Sequence, residues 1–292
     1  MHAILQHLRF PFSLLLFPVF LMAVYAADWP EVFPWFQVVL LGIVLHLFIY
    51  PSSNAYNSLQ DRDTGSIGLV KHPKKAPQEL QLLTIILDLF ALVISFIFLP
   101  FEVSVCLCIY ILASRLYSWR KIRIKKYPIA GFLIVFSCQG GLIFFLTTRL
   151  FASNPSILLC VASSALIGAI YPLSQIYQHT QDRADGVTSI SMLLGYRGTF
   201  LFSAALFILG TLCFCFHFMV IDPWSVLTFS ICLFPSTVYF FLWAWDVWKS
   251  TAAANYQRSM RMSILSAIGM NLCFIFLILF RFGGVLNRFW EF

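Results

Sequence analysis

The chain has 292 residues, 60% of them hydrophobic, 17% aromatic and only 11% charged, with a mean hydropathy of +0.86. That excludes a water-soluble globular domain and describes a polytopic membrane protein, a single membrane domain over residues 1–292. The formal charge of +7 would suit nucleic acid, but the basic residues are placed as a membrane topology places them. The partner they predict is the lipid bilayer and no nucleic acid.

In chain order, nine apolar runs approach the ~20 residues that a bilayer core requires. They cover 9–27, 34–57, 80–99, 103–119, 128–149, 155–179, 198–221, 224–248 and 260–282. The first ends in Ala23-Val24-Tyr25-Ala26-Ala27, as a cleaved signal peptide does, but its length and its single basic residue, Arg9, read as a retained helix. With the amino terminus inside, sixteen of the nineteen Lys and Arg residues fall in cytoplasmic segments. The densest group is Arg120-Lys121-Ile122-Arg123-Ile124-Lys125-Lys126, after the fourth run, while Arg149, Arg281 and Arg288 lie outside. The expectation is an integral, multi-pass protein (of the inner membrane, in a bacterium) whose loops after runs two, four and six are cytoplasmic. All eight cysteines lie in apolar runs and read as small buried hydrophobes. The pairs Cys106/Cys108 and Cys213/Cys215 diverge on a helix, so neither is a metal pair.

Two polar stripes interrupt this pattern. His46, Tyr50, Asn54, Asn57 and Asp61 are separated by four, four, three and four residues, and Tyr171, Gln175, Gln178, Asp182 and Asp185 by four, three, four and three. Each set shares a helix face. A polar face is costly in lipid, so both should meet protein or a water-filled cavity. Both end in carboxylates on the basic side, as two halves of one site would. Acids at helix ends beside a cationic loop suit a metal-bound polyphosphate: Mg²⁺ takes one or two protein carboxylates and completes its shell with phosphate oxygens and water, while Lys and Arg neutralise the remaining charge. Elsewhere, Asp88 inside the third run should have a partner or face the cavity. Asp246 should pair with Lys249 along its helix. His46 reads as a hydrogen-bonded interior histidine, with a base near a substrate as the alternative. His179 should face away from its stripe, and Gln139 should point inward or belong to a close-packing site with Gly140 and Gly141.

Asn57-Ser58-Leu59-Gln60-Asp61-Arg62-Asp63 resembles the first aspartate-rich motif of the UbiA superfamily of intramembrane prenyltransferases. Gln178-His179-Thr180-Gln181-Asp182-Arg183-Ala184-Asp185-Gly186, with Thr188-Ser189 and Leu194-Gly195, resembles the second. Tyr117-Ser118, Arg123-Ile124-Lys125 and Pro128 are similar to the family's loop after the fourth helix, and Leu8-Arg9-Phe10-Pro11-Phe12-Ser13 to its opening. The chain departs from the pattern at Gly65 and Gln178, where the family carries carboxylates. The resemblance implies a nine-transmembrane-helix, all-α bundle and a Mg²⁺-dependent transfer of an isoprenyl group from an allylic prenyl diphosphate to a lipophilic, aromatic acceptor through an allylic carbocation. It implies that Asn57, Asp61, Asp182, Arg123 and Lys125 are catalytic, that Asn57, Asp61, Gln178 and Asp182 bind the cofactor and substrate, and that Asp61, Asp63, Asp182 and Asp185 ligate metal. A terpene cyclase of the same superfamily is the nearest alternative. A non-catalytic lipid-binding protein or a transporter is the other, although transporter sites usually lie near the midplane rather than at one mouth.

Overall fold

The computed structural model describes residues 2–62 and 65–290, with side chains described from residue 3 to 283. Asp63, expected above as a metal ligand, lies outside the described residues. Among those described, nine helical spans are long and apolar enough to cross a membrane: α1 (Ala3–Ala26), α2 (Trp35–Asp61), α3 (Glu79–Phe98), α4 (Phe101–Ser118), α5 (Pro128–Phe151), α6 (Ile157–Gln175), α7 (Ile190–Ile221), α8 (Pro223–Lys249) and α9 (Tyr256–Gly283). The seventh span begins earlier than its apolar run, because Ser189 caps it by accepting a hydrogen bond from Met192 N. The sixth ends at Gln175, and a short helix, His179–Ala184, follows it.

The spans are not uniform helices. Val44–Ile49 in α2 and Phe136–Leu142 in α5 are π-helical. A π turn spends more residues per revolution than an α turn, so side chains beyond it rotate to a different face. The first span bends at Arg9, which adopts a left-handed conformation (φ 49°) ahead of Pro11. Its second half is built into the core, with residues 19–25 all buried. Large apolar side chains such as Leu82, Phe216, Val220 and Phe241 remain on the outside, where lipid replaces water as the surrounding solvent.

Close helix contacts set the cavity walls. A Cβ on Gly140 would lie 2.3 Å from Ser164 Cα, so α5 and α6 touch backbone to backbone and only glycine fits there. Asp88 has the partner expected of it. Its carboxylate pairs with Arg115 of α4, and Ser52 of α2 donates to Asp88 Oδ1 (2.7 Å) and accepts from Arg115 (2.7 Å). The Arg115 guanidinium lies over the Tyr56 ring, 4.3 Å from its centroid. One ionic knot thus joins three spans inside the apolar zone. The expected Asp246–Lys249 pair is replaced by Asp246–Arg258. The chain turns back after Lys249 and brings the start of α9 alongside, while the Lys249 ammonium rests 4.9 Å from the Trp245 ring.

Candidate active site

The lower half of α2 and the end of α6 form opposite walls of one cavity of about 220 Å³. Ser53, Asn54, Asn57 and Asp61 line one wall; Tyr171, Ser174, Gln175, Gln178 and Asp182 line the other. The two stripes do meet, but the second is not one helical face: α6 ends at Gln175, Gln178 is the N-cap residue of the short helix that follows, Asp182 lies in that helix and Asp185 just after it. His46 and Tyr50 are absent from the lining: His46 lies within the π segment, and Tyr50, the first residue of the α-helical stretch after it, packs its ring against His46 and Tyr110. The His46 Nδ1 donates to the Ser13 carbonyl (3.1 Å) against Phe17, which is the interior role. His179 is buried, shares a 2.8 Å hydrogen bond with Ser191 and stacks on Tyr196, facing away from the cavity as expected.

The loop between α4 and α5 closes the mouth. Arg123 takes a left-handed backbone conformation (φ 50°), which for a residue with a Cβ costs about 1–2 kcal/mol. The turn directs Arg123 and Lys125 onto the first stripe. Arg123 donates to Asp61 Oδ1 (3.1 Å), Lys125 pairs with Asp61 Oδ2, and Lys125 also reaches Asn57 Oδ1 (3.4 Å). Asn57 Oδ1 accepts a further hydrogen bond from Ser118 (2.9 Å). Arg120 spans to both neighbouring loops: it donates to the Gln60 carbonyl, and to Asp185 Oδ1 at 3.1 Å. Arg123 completes the tie through the Asp185 carboxylate and carbonyl. Burial would raise the Asp185 carboxyl, but the Arg123 hydrogen bond and the charges of Arg123, Arg120 and Lys125 outweigh it and hold it below the usual carboxylate range. Burial would likewise lower Arg123, and the two carboxylates raise it instead.

Below the carboxylates the walls are aromatic and polar. Tyr117 and Tyr171 share a 2.6 Å hydroxyl contact across α4 and α6, with Tyr110 and Gln139 also in the lining. A second, apolar cavity of about 120 Å³ shares Phe12, Gln139, Tyr171 and Ser174 with the first and runs among α1, α5, α6 and α9.

The profile of the UbiA prenyltransferase family matches residues 15–265. The chain belongs to this family. Among solved structures, a UbiA homologue from Archaeoglobus fulgidus bound to GPP and Mg²⁺ superimposes with a TM-score of 0.70 at 16% identity, covering 94% of this chain and 99% of that one. The same homologue bound to DMAPP and Mg²⁺ gives 0.69 at 15% identity with the same coverage. A structure from work on digeranylgeranylglyceryl phosphate synthase in membranes gives 0.60 at 17% identity, covering 95% of this chain and 97% of that one. No curated protein sequence matches the chain. Family and fold together make this a multi-pass, all-α UbiA membrane protein and an enzyme of the prenyltransferase class.

Within this UbiA fold, the residues expected from the sequence separate into two groups. Asn57, Asp61, Lys125, Gln178 and Asp182 line the cavity. Arg123 and Asp185 are not in its lining; they stand behind Asp61 and pair with each other. Arg9, Tyr117 and Gln181, which the motifs contained without an assigned role, and Tyr110, which no motif contained, are also in the lining. Arg9 enters because its left-handed bend turns the side chain toward α2, where it donates to the Asn54 carbonyl (3.2 Å). The signal available was an arginine preceding Phe10-Pro11 inside an apolar run. The oxygen donors fit a hard cation: the carboxylates of Asp61 and Asp182 and the side-chain amides of Asn57 and Gln178 border one cavity. Among the described residues no group of three His, Cys, Asp or Glu side chains could hold a metal alone, so the donors suit an ion that takes phosphate and water for the rest of its shell.

Proposed function

We propose that this UbiA-family enzyme transfers an isoprenyl group from an allylic prenyl diphosphate to a lipophilic acceptor, with the site at the cytoplasmic face. The observation that carries the reading is the convergence of two oxygen-donor walls and a basic loop on one cavity, whose deeper half is lined by tyrosines and continues into an apolar pocket. The diphosphate belongs at the mouth, among Asn57, Asp61, Lys125, Gln178 and Asp182. The isoprenyl chain belongs below, against Tyr110, Tyr117, Tyr171 and Phe12. The ligands held by the Archaeoglobus fulgidus homologue, GPP or DMAPP with Mg²⁺, are of this class.

Mg²⁺, when bound, neutralises diphosphate charge and makes it a better leaving group. The residues to hold it are Asp182 with Gln178 on one wall, or Asp61 with Asn57 on the other. Lys125 supplies a fixed positive charge to the departing diphosphate, and Arg123 holds Asp61 in register behind it. The allylic cation left behind faces aromatic rings, whose electron-rich faces attract positive charge, and the apolar walls keep water from capturing it. An electron-rich acceptor ring entering from the apolar pocket then forms a carbon–carbon bond to the cation and loses the proton of that ring carbon, which the released diphosphate can accept. The positive-inside distribution of basic residues supports a cytoplasmic mouth.

Membranes containing the protein, incubated with radiolabelled prenyl diphosphates of several lengths, Mg²⁺ and a lipid extract, should yield a labelled product larger than the donor alcohol. A cyclised hydrocarbon formed without extract would move the assignment to a terpene cyclase. Binding of the donor with no turnover in any extract would reject the transferase reading.

A further inference from the structure

On the α2 wall the carboxylate is already saturated with cations: Asp61 Oδ1 accepts from Arg123, and Asp61 Oδ2 pairs with Lys125, which also lies 3.4 Å from Asn57 Oδ1. The pair is well enclosed, with side-chain exposures of 11% for Lys125 and 10% for Asp61. Asn57 Oδ1 is further engaged by Ser118. Taken with the neighbouring Asp185 and Arg120, three cations face two carboxylates, a net charge of +1. A dication placed on Asp61 and Asn57 would have to displace Lys125 and then sit beside it and Arg123. A Cβ on Gly65 would come within 2.4 Å of Gln181 Oε1, the far end of a side chain of the second motif, so the loop after α2 lies against that motif. An acidic side chain at that position would have to push Gln181 out of the cavity wall.

We propose that the site takes a single divalent ion per diphosphate, held on the Asp182–Gln178 wall, and that the Lys125 ammonium is the resident cation of the Asn57–Asp61 wall. The proposal rests on the reading that the cavity binds a prenyl diphosphate. Lys125 is then more than a phosphate contact, because it holds the place where the α2 wall would otherwise take up metal. A fixed monovalent cation needs no refilling from solution, so the α2 wall is already charged for diphosphate at low magnesium.

The stoichiometry can be counted with Mn²⁺, which replaces Mg²⁺ and is visible by electron paramagnetic resonance. The purified full-length protein is titrated with Mn²⁺ in the presence of a thiolo analogue of geranyl diphosphate that does not ionise, and retention of radiolabelled analogue is measured in parallel. The wild type should bind one Mn²⁺ per analogue, with no spin–spin coupling. Lys125→Arg should keep one ion, whereas Lys125→Gln should admit a second, coupled one. Asp182→Asn should weaken the ion by tenfold or more. Two coupled ions in the wild type overturn the proposal, which therefore does not depend on any variant folding. So does loss of the ion on Asp61→Asn or Asp63→Asn with Asp182 intact. If the analogue is not retained at all, with or without Mn²⁺, the diphosphate reading itself fails, and the proposal with it.

Discussion

Replacing Asp185 tests whether that acid is a metal ligand, as its place in the second stripe suggests, or a strut for the basic loop. The structure supports the strut. Its carboxylate bonds Arg123 and Arg120, and its side chain is absent from the cavity lining. Asp185→Asn keeps the shape and removes the charge from two charge-assisted hydrogen bonds. Such bonds contribute about 1.5–3 kcal/mol each when sheltered, but this side chain is 30% exposed, so solvent screening reduces the pair to a total of about 1–3 kcal/mol. Expressed as donor affinity, that is a loss of roughly 5- to 150-fold. The Mg²⁺ concentration for half-maximal activity should stay within about twofold. The assay is a matrix of initial rates against donor and Mg²⁺, with Arg120→Gln and the double variant completing a cycle. Partners in one network should be non-additive. A large rise in the Mg²⁺ requirement of Asp185→Asn, matching that of Asp182→Asn, would refute the strut. The folded Asp185 carboxyl lies below its ordinary value, so its contribution is complete above the unfolded pKa of about 3.9 and disappears only as pH falls through the lower folded value. The tie should therefore be insensitive to pH from neutrality down to about pH 4.

Asp61→Ala and Asp182→Ala should each lower turnover on the order of 10²-fold or more, since Asp61 holds Lys125 and Arg123 in place and Asp182 would hold the metal ion, and these cations stabilise the leaving diphosphate; near-normal rates in either folded variant would remove it from the site. In the ionic knot, Asp88→Leu or Arg115→Leu alone should destabilise the protein by about 3 kcal/mol, and the double replacement by less, because one change leaves an uncompensated charge in the apolar zone; unfolding in mixed micelles measures both. Gly140→Ala should cost about 1–3 kcal/mol or more by forcing α5 from α6, and an unchanged melting temperature would show that the helices can part freely.

Much of this architecture was legible because lipid imposes strong rules on sequence. A span must be apolar for about 20 residues and a charge within it must be paired, so the nine runs and the need for a partner at Asp88 could be read directly. What could not be read was the departure from α-helical periodicity. Nothing in Val44–Ile49 announces a π turn, and the even spacing of His46, Tyr50 and Asn54 invited one continuous face. Long-range choice of ion partner was equally hidden: Asp246 has Lys249 three residues away on its own helix, yet the returning chain supplies Arg258. Local spacing gives the contacts available within a helix, while the fold decides which of them is used.

The site shows the same division between residue identity and residue direction. Asn57 and Asp61 could be picked out because a helical stripe is a one-dimensional record of a face, and the cavity preserves that face. Gln178 and Asp182 line the opposite wall although the helix that carries Tyr171 ends at Gln175 and a short second helix presents them. Arg123, Lys125 and Asp185 come from loops, where spacing carries no direction. There the left-handed backbone at Arg123 and the turn at 185–186 decide that Lys125 reaches the cavity while Asp185 turns back to the arginines. The loop after α4 contributes no carboxylate of its own, and its arginines and lysine are what join the acids of the two half-sites. Its basic residues therefore read three ways at once: they carry the charge excess from which sequence predicts topology, they tie the half-sites together, and through Lys125 they bring positive charge to the mouth of the cavity. A count of charges in that loop would have recorded only the first.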